Sequence, residues 1–423
     1  MPSTPTDTMS VCCPDCGAVL DARTSQSTCA MCGGLLAVEH QPELHGNALR
    51  TLFDDRASKA ARTVHALERS GVWRFREIVL AAGDHEIVTH PEGNTPVLAR
   101  PAVASYAGVD GLLLKHEGHN PTGSFKDRGM TVALTQARRI GARAVACAST
   151  GNTSASLSAY ASQAGIPSFV FVPEGRVSAS KLAQTVAYGA RTLQIRGDFD
   201  DCLRLARDAS DTLGVYLVNS VNPFRIEGQK TIVFELLQQL AWSAPDWIAL
   251  PAGNLGNTSA FGKALAEAHR FGLIDRVPRL LAVQAAGAAP FAQAYADHFA
   301  RRISVRAETR ATAIRIGDPA SWDRAVRAIA ATNGVVESVT DEEIFAAKAV
   351  IDRCGVGCEP ASAASVAGVR ALAARGVIRR DERVVAVLTG HLLKDPGGNA
   401  VPDDTPPLTP VEALALLEQV VSK

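Results

Sequence analysis

Aromatic residues are scarce in this chain, at 5% of 423 residues, and methionine occurs only four times. Neither sign of charge prevails: Lys plus Arg and Asp plus Glu count 43 each, for a formal net charge of zero. That balance carries no footprint of a nucleic-acid or anionic-membrane partner, although it leaves room for a local basic pocket. Nowhere do about eighteen apolar residues run together, so no membrane-spanning helix is expected. Residues 1–10 are rich in Ser, Thr and Pro and lack a basic stretch leading into an apolar run. They read as a disordered N-terminus without a secretory signal, and the cytoplasm is the simplest compartment.

With 47% hydrophobic residues, the chain can bury a large core and form two or three domains. Its nine cysteines are unevenly placed, five of them before Gly33. Cys13-Pro-Asp-Cys16 and Cys29-Ala-Met-Cys32 are two knuckles with the spacing that closes thiolates on one tetrahedral ion. Residues 11–40 therefore read as a zinc-ribbon-like segment, either holding structural zinc or a relic without metal. Cys12 is a neighbour that competes for register. Disulfides are disfavoured in a reducing compartment. Arg23 is the only basic residue between Cys12 and Cys32, so a ribbon that grips a phosphate backbone is not indicated.

Residues 41–90 read as a helical linker, with apolar positions such as Leu49, Leu52, Phe53, Val64 and Leu67 at helical spacing. Beyond it, short apolar runs at 112–114, 144–146, 169–172, 216–218, 247–250, 280–283 and 384–388 read as buried strands. Amphipathic stretches at 134–139, 154–164, 200–213 and 231–241 lie between them. This alternation predicts an α/β fold of two open parallel-sheet subdomains with helices on both faces, interleaved over residues 91–401. Residues 402–423 read as a Pro-rich break followed by a C-terminal helix.

Three loops carry the chemistry. Asn120-Pro-Thr-Gly123 is turn chemistry after a strand, leading through Ser124 into a helix whose first turn holds Lys126. The positive end of a helix dipole disfavours a second positive charge, and so favours the neutral amine that attacks an aldehyde. Taken alone, Lys126 reads as a solvated turn lysine. Ser149-Thr-Gly-Asn-Thr-Ser154 follows a second strand and gathers hydroxyls and an amide at a helix start. Gly253-Asn-Leu-Gly256-Asn257 follows a third, where glycines let the backbone approach a phosphate. Ligands of open parallel sheets sit outside the carboxyl ends of strands, where these loops would converge.

Pro121-Thr-Gly-Ser-Phe-Lys126-Asp-Arg resembles the lysine motif of fold-type-II pyridoxal-phosphate (PLP) enzymes, the tryptophan-synthase-β superfamily. Within it, the chain resembles the threonine synthases. The matching segments are Glu92-Gly-Asn-Thr-Pro96, Ser149-Thr-Gly-Asn-Thr, Asn222-Pro-Phe-Arg-Ile-Glu-Gly-Gln-Lys230 and Ala313-Ile-Arg-Ile-Gly317, then Glu359-Pro-Ala-Ser-Ala363 and Val387-Leu-Thr-Gly-His-Leu-Leu-Lys-Asp-Pro396. The cysteine ribbon is similar to an extension of some short members.

The resemblance implies that Lys126 holds the cofactor as a Schiff base and that Asn152 hydrogen-bonds the ring's 3′ oxygen. Gly253, Asn254, Leu255, Gly256 and Asn257 would cradle the cofactor phosphate, and the Thr389 hydroxyl would meet the pyridine nitrogen. Substrate phosphate would be gripped by Lys181, Asn219, Ser220 and Arg225, with Ser149 and Thr153 near the substrate. Cys13, Cys16, Cys29 and Cys32 remain the metal candidates. The implied reaction is a carbon–oxygen lyase step turning O-phospho-L-homoserine and water into L-threonine and phosphate, in a cytoplasmic homodimer. Rival readings are a cysteate-synthase-like enzyme acting on phosphoserine, a serine/threonine dehydratase, and a non-catalytic binding module. Phosphohomoserine and phosphoserine differ by one methylene, and pocket shape decides between them.

Overall fold

The computed structural model describes residues 9–175, 179–197 and 199–395, with five isolated positions beyond 408. Residues 1–8 and most of 402–423 thus lie outside the described residues, including most of the expected C-terminal helix. Met9 and Ser10 correct the expectation of disorder through residue 10, because they open the first strand.

Strands β1 (Met9–Cys12), β2 (Val19–Leu20) and β3 (Ala37–His40) form a small antiparallel sheet in the order β2-β1-β3. The next ten strands are β4 (Val97–Ala99), β5 (Gly111–His116), β6 (Val145–Ala148), β7 (Ser168–Pro173) and β8 (Arg191–Ile195), then β9 (Tyr216–Leu217), β10 (Trp247–Pro251), β11 (Arg279–Ala285), β12 (Val335–Val339) and β13 (Arg383–Leu388). Six of them build a sheet in the order β12-β11-β10-β13-β5-β4, parallel except where β4 runs against β5. The other four build an all-parallel sheet, β8-β7-β6-β9. The chain leaves the larger sheet after β5, completes the smaller one, and returns at β10. The expected pair of interleaved subdomains is this arrangement.

Burial explains which strands the apolar runs revealed. Every residue of β10 is buried, as expected of a strand covered on both faces. β8 is an edge strand with no fully buried residue, so Arg191 and Gln194 interrupt its apolar pattern. β12 is an edge of the larger sheet, with only Val336 and Val339 of its five residues buried.

Residues 41–90 do form helical turns, Gly46–Ala60, Ala66–Arg69 and Trp73–Ile78, yet they are part of the core. Trp73, Phe75 and Phe53 are completely buried beside Phe234, with the Phe53 and Phe75 rings edge to face at 4.9 Å. Burying each such side chain is worth roughly 1.5–3 kcal/mol, an upper bound because the unfolded chain is itself partly collapsed.

Below the lysine loop lies a fully buried ionic cluster. Arg128 meets Glu117 at 2.7 Å and Glu235 at 2.7 Å, and Lys115 meets Glu235 at 2.6 Å. Each charge has opposite partners and hydrogen bonds, the condition under which burial is tolerated. The cluster joins β5 to two helices, Lys126–Arg139 and Thr231–Gln239.

Candidate active site

Loops from both sheets meet at the carboxyl ends of their parallel strands around one cavity of about 770 Å³. That volume suits a cofactor and a small substrate together. Lys126, Ser149, Asn152, Thr153, Asn219, Ser220, Arg225, Gly253, Asn254, Leu255, Gly256, Asn257 and Thr389 all line it. Lys181 lies on the helix Ala179–Ala187 and its side chain is outside the described residues.

Lys126 is the first residue of its helix, as its loop chemistry predicted. The loop is pinned to the segment after β13, since Phe125 N–H donates to Thr389 O at 3.0 Å and His391 N–H donates to Gly123 O at 2.9 Å. Asp127 ties it from within, its carboxylate accepting from Thr122 N–H (2.7 Å), Thr122 Oγ1 (2.6 Å) and Ser156 Oγ (2.6 Å). Among the described residues Lys126 Nζ makes no hydrogen bond or ion pair; it sits 4.1 Å from the centre of the Phe125 ring. Burial, and then the nearby Arg225 guanidinium, bring its pKa down to about 7 against the opposing pull of Glu359. An amine so placed is substantially neutral at physiological pH.

Asn152 and Thr389 converge on a residue that sequence reading passed over. Asn152 Nδ2 donates to Glu359 Oε2 at 2.9 Å, and Thr389 Oγ1 donates to Glu359 Oε1 at 3.1 Å. Ser362 Oγ lies 3.0 Å from the same threonine hydroxyl. Glu359 is buried, and burial pushes its carboxyl above the usual range. A signal existed: Glu359 precedes a proline at the start of a helix, inside a segment already quoted for its resemblance.

The glycine–asparagine loop follows β10. Leu255 takes a left-handed conformation (φ +61°), a strained setting for a branched side chain that persists where the fold enforces it. A Cβ on Gly253 would lie 3.0 Å from Ile314 Cα, so the close backbone approach there favours glycine. In the helix that follows, Asn257 Oδ1 and Thr258 Oγ1 are buried without a hydrogen-bond partner among the described residues. Arg225 is buried with one guanidinium nitrogen donating to Val218 O at 3.0 Å, while among the described residues Nε and Nη2 have no partner. Unpaired buried donors of a cation are costly, and an anion in the cavity would satisfy them. Asn219 is differently engaged: its amide exchanges two 3.1 Å hydrogen bonds with the backbone of Ala148, extending β6. Ser220 Oγ accepts from Asn254 Nδ2 at 2.5 Å, linking the two loops.

Against known proteins, residues 88–390 match the model of the pyridoxal-phosphate dependent enzyme family. The chain is 45% identical over 386 residues to a threonine synthase of Methanosarcina acetivorans, covering 91% of this chain and 92% of that one. It is 50% identical over 350 residues to a threonine synthase of Mycobacterium leprae, covering 82% and 94%.

The chain belongs to the threonine synthases, within the pyridoxal-phosphate-dependent enzymes.

Solved structures agree on the fold. The processed form of threonine deaminase isoform 2 from Solanum lycopersicum superposes with a TM-score of 0.63 at 17% identity, covering 83% of this chain and 92% of that one. Pyridoxal phosphate is the cofactor of this threonine synthase family member, and the site fits it. A lysine amine without a hydrogen bond among the described residues, a glycine-walled loop opening a helix beside the unpartnered Thr258 hydroxyl, and two side chains poised on Glu359 suit an aldehyde, a phosphate and a polar ring.

Away from the cavity, the four cysteine sulfurs of the ribbon lie within 4.8 Å of one another. Cys13 and Cys32 are 3.5 Å apart and Cys16 and Cys29 3.7 Å. Tetrahedral zinc with Zn–S near 2.3 Å requires sulfurs about 3.8 Å apart, so the spacing fits the ion. Among the described residues, no helix is long and apolar enough to cross a membrane.

Proposed function

We propose that this enzyme converts O-phospho-L-homoserine and water to L-threonine and phosphate. The observation that carries this substrate is Arg225, a buried cation that lines the cavity holding Lys126 and, among the described residues, leaves two guanidinium nitrogens without a partner. A dianionic phosphate is the partner such a planar fork suits best.

In the reaction the Cγ–O bond breaks and phosphate leaves with the electron pair. The oxygen of water adds at Cβ, and protons are redistributed among Cα, Cβ and Cγ. Bound in the cavity, pyridoxal phosphate supplies the electron sink for charge at Cα. Lys126 would hold the cofactor, and its Nζ would move the α-proton along the carbon chain. The pKa near 7 makes the amine competent both to accept and to donate a proton at neutral pH. Asn152 and Thr389 would hold the cofactor ring. Gly253, Asn254, Leu255, Gly256 and Asn257 cradle its phosphate, and Arg225 and Ser220, with Lys181 from the neighbouring helix, clamp the substrate's. Ser149 and Thr153 face the substrate between them. Asn219 acts by shaping the strand end, since its amide is spent on Ala148.

The ribbon cysteines Cys13, Cys16, Cys29 and Cys32 hold one structural zinc. A cytoplasmic homodimer is the assembly we propose, supported by the family resemblance and checked by light scattering. The deciding experiment is release of phosphate together with formation of threonine from phosphohomoserine, with phosphoserine as competitor. A folded, cofactor-loaded sample that turns over phosphoserine and leaves phosphohomoserine intact would replace this substrate with its shorter relative.

A further inference from the structure

The ribbon is docked on the back of the active site, and one contact leads directly to the clamp. His40, the last residue of β3, is 2% exposed, and its Nε2 lies 2.7 Å from Glu227 Oε2. Glu227 stands two residues after Arg225 on the short helix Pro223–Gln229. At about 100° per residue, that separation puts the two side chains on opposite sides of the helix. One side faces the cavity and the other the ribbon.

Around Glu227 the contacts are dense. Lys230 reaches Glu227 and Glu267 at 2.6 Å each, and Lys263 reaches Glu227 at 2.5 Å while also donating to Val38 O in β3. These lysines already neutralise the carboxylates beside His40, so the cluster is a structural knot and not a cation site.

The Arg225 helix has no slack on its cavity side. A Cβ on Gly129, in the Lys126 helix, would lie 2.9 Å from Arg225 O and 3.0 Å from Gln229 Nε2. Gln229 in turn lies 3.5 Å from the Cβ position of Gly256 in the phosphate loop. The helix is therefore held between the catalytic helix in front and the ribbon behind. Lys126, by contrast, is fixed by its own pairing with the Thr389 segment.

We propose that His40 is a positioning residue of the substrate-phosphate clamp: the ribbon, through His40 and Glu227, sets where the Arg225 guanidinium sits. This rests on the reading of Arg225 as the clamp.

The test compares His40→Ala, His40→Gln and Arg225→Lys in the holoenzyme. KM for phosphohomoserine and the inhibition constant of inorganic phosphate are measured beside the cofactor's absorption. In His40→Ala both constants should rise together by roughly three- to thirtyfold, the usual range for a residue acting through a packed element. The cofactor spectrum and its retention on gel filtration should not change. His40→Gln, which keeps an N–H donor toward Glu227, should recover most of the loss. Unchanged constants in His40→Ala, a His40→Gln as impaired as His40→Ala, or cofactor loss in step with KM would each overturn the proposal. If Arg225→Lys leaves both constants unaltered, the clamp reading fails and this inference with it. If Arg225→Lys weakens phosphate binding and His40→Ala does not, only the inference fails.

Discussion

Arg225 and Lys126 face the same cavity from two helices, and the guanidinium is second only to burial in keeping a proton off the lysine amine. Glu359 opposes them from a third element. The charge state of the lysine proposed to attack the cofactor is thus set by one group proposed to bind substrate and by Glu359, which accepts from Asn152 and Thr389.

That relationship predicts a pH dependence. Cofactor capture by the apoenzyme needs neutral Lys126, so its rate should climb as pH rises through about 7, the value burial and Arg225 impose. Arg225→Gln removes a charge that lowers the pKa, and the midpoint should move up. Glu359→Gln removes one that raises it, and the midpoint should move down. Rapid mixing with pyridoxal phosphate across pH 5–9 measures all three, and midpoints shifted in the opposite senses would contradict the assignment.

Replacing Lys126 with alanine should abolish the near-visible absorption of the holoenzyme and all threonine formation, while the far-ultraviolet dichroism stays native. Borohydride reduction followed by peptide mapping should label Lys126 in the parent protein. A label on another lysine would dismiss its role.

Glu359→Ala should weaken cofactor binding by about tenfold or more. Asn152 and Thr389 each lose a buried hydrogen bond to a carboxyl group, and such bonds are worth about 1.5–3 kcal/mol where the group is charged. Fluorescence titration of the apoenzyme gives the dissociation constant. Parent-like affinity would remove Glu359 from the site.

Gly228→Ala tests the packing behind the clamp. The added Cβ would fall inside the van der Waals shell of the Arg128 carbonyl oxygen, which is backbone and cannot swing aside. Overpacking of this kind costs about 1–3 kcal/mol or more. A lower melting temperature accompanied by weaker phosphate inhibition is the expected outcome.

Metal analysis should find one zinc per chain, released by mercurial titration of the thiols and absent from a Cys13→Ser/Cys32→Ser double variant. The melting temperature should fall with it, because β1 and β3 form the sheet of the ribbon and Lys263 and Arg324 donate to Val38 O and Leu36 O in its final segment. A parent chain purified with full activity and no metal would return the ribbon to the status of a relic.

The sequence by itself determined the parallel α/β architecture, because buried central strands such as β10 and β13 must be almost wholly apolar, and the loops after them must carry turn residues. It also placed Lys126 at a helix start and paired the four ribbon cysteines, since both are matters of short-range spacing. Edge strands β8 and β12 escaped notice because solvent on one side lets polar residues into the pattern. Only the tertiary structure decided that residues 41–90 belong to the core, that Asn152 and Thr389 share Glu359, and that His40 stands behind Arg225. These are contacts between residues up to about two hundred positions apart in the chain, created when two sheets close on one cavity, and local pattern contains no term for them.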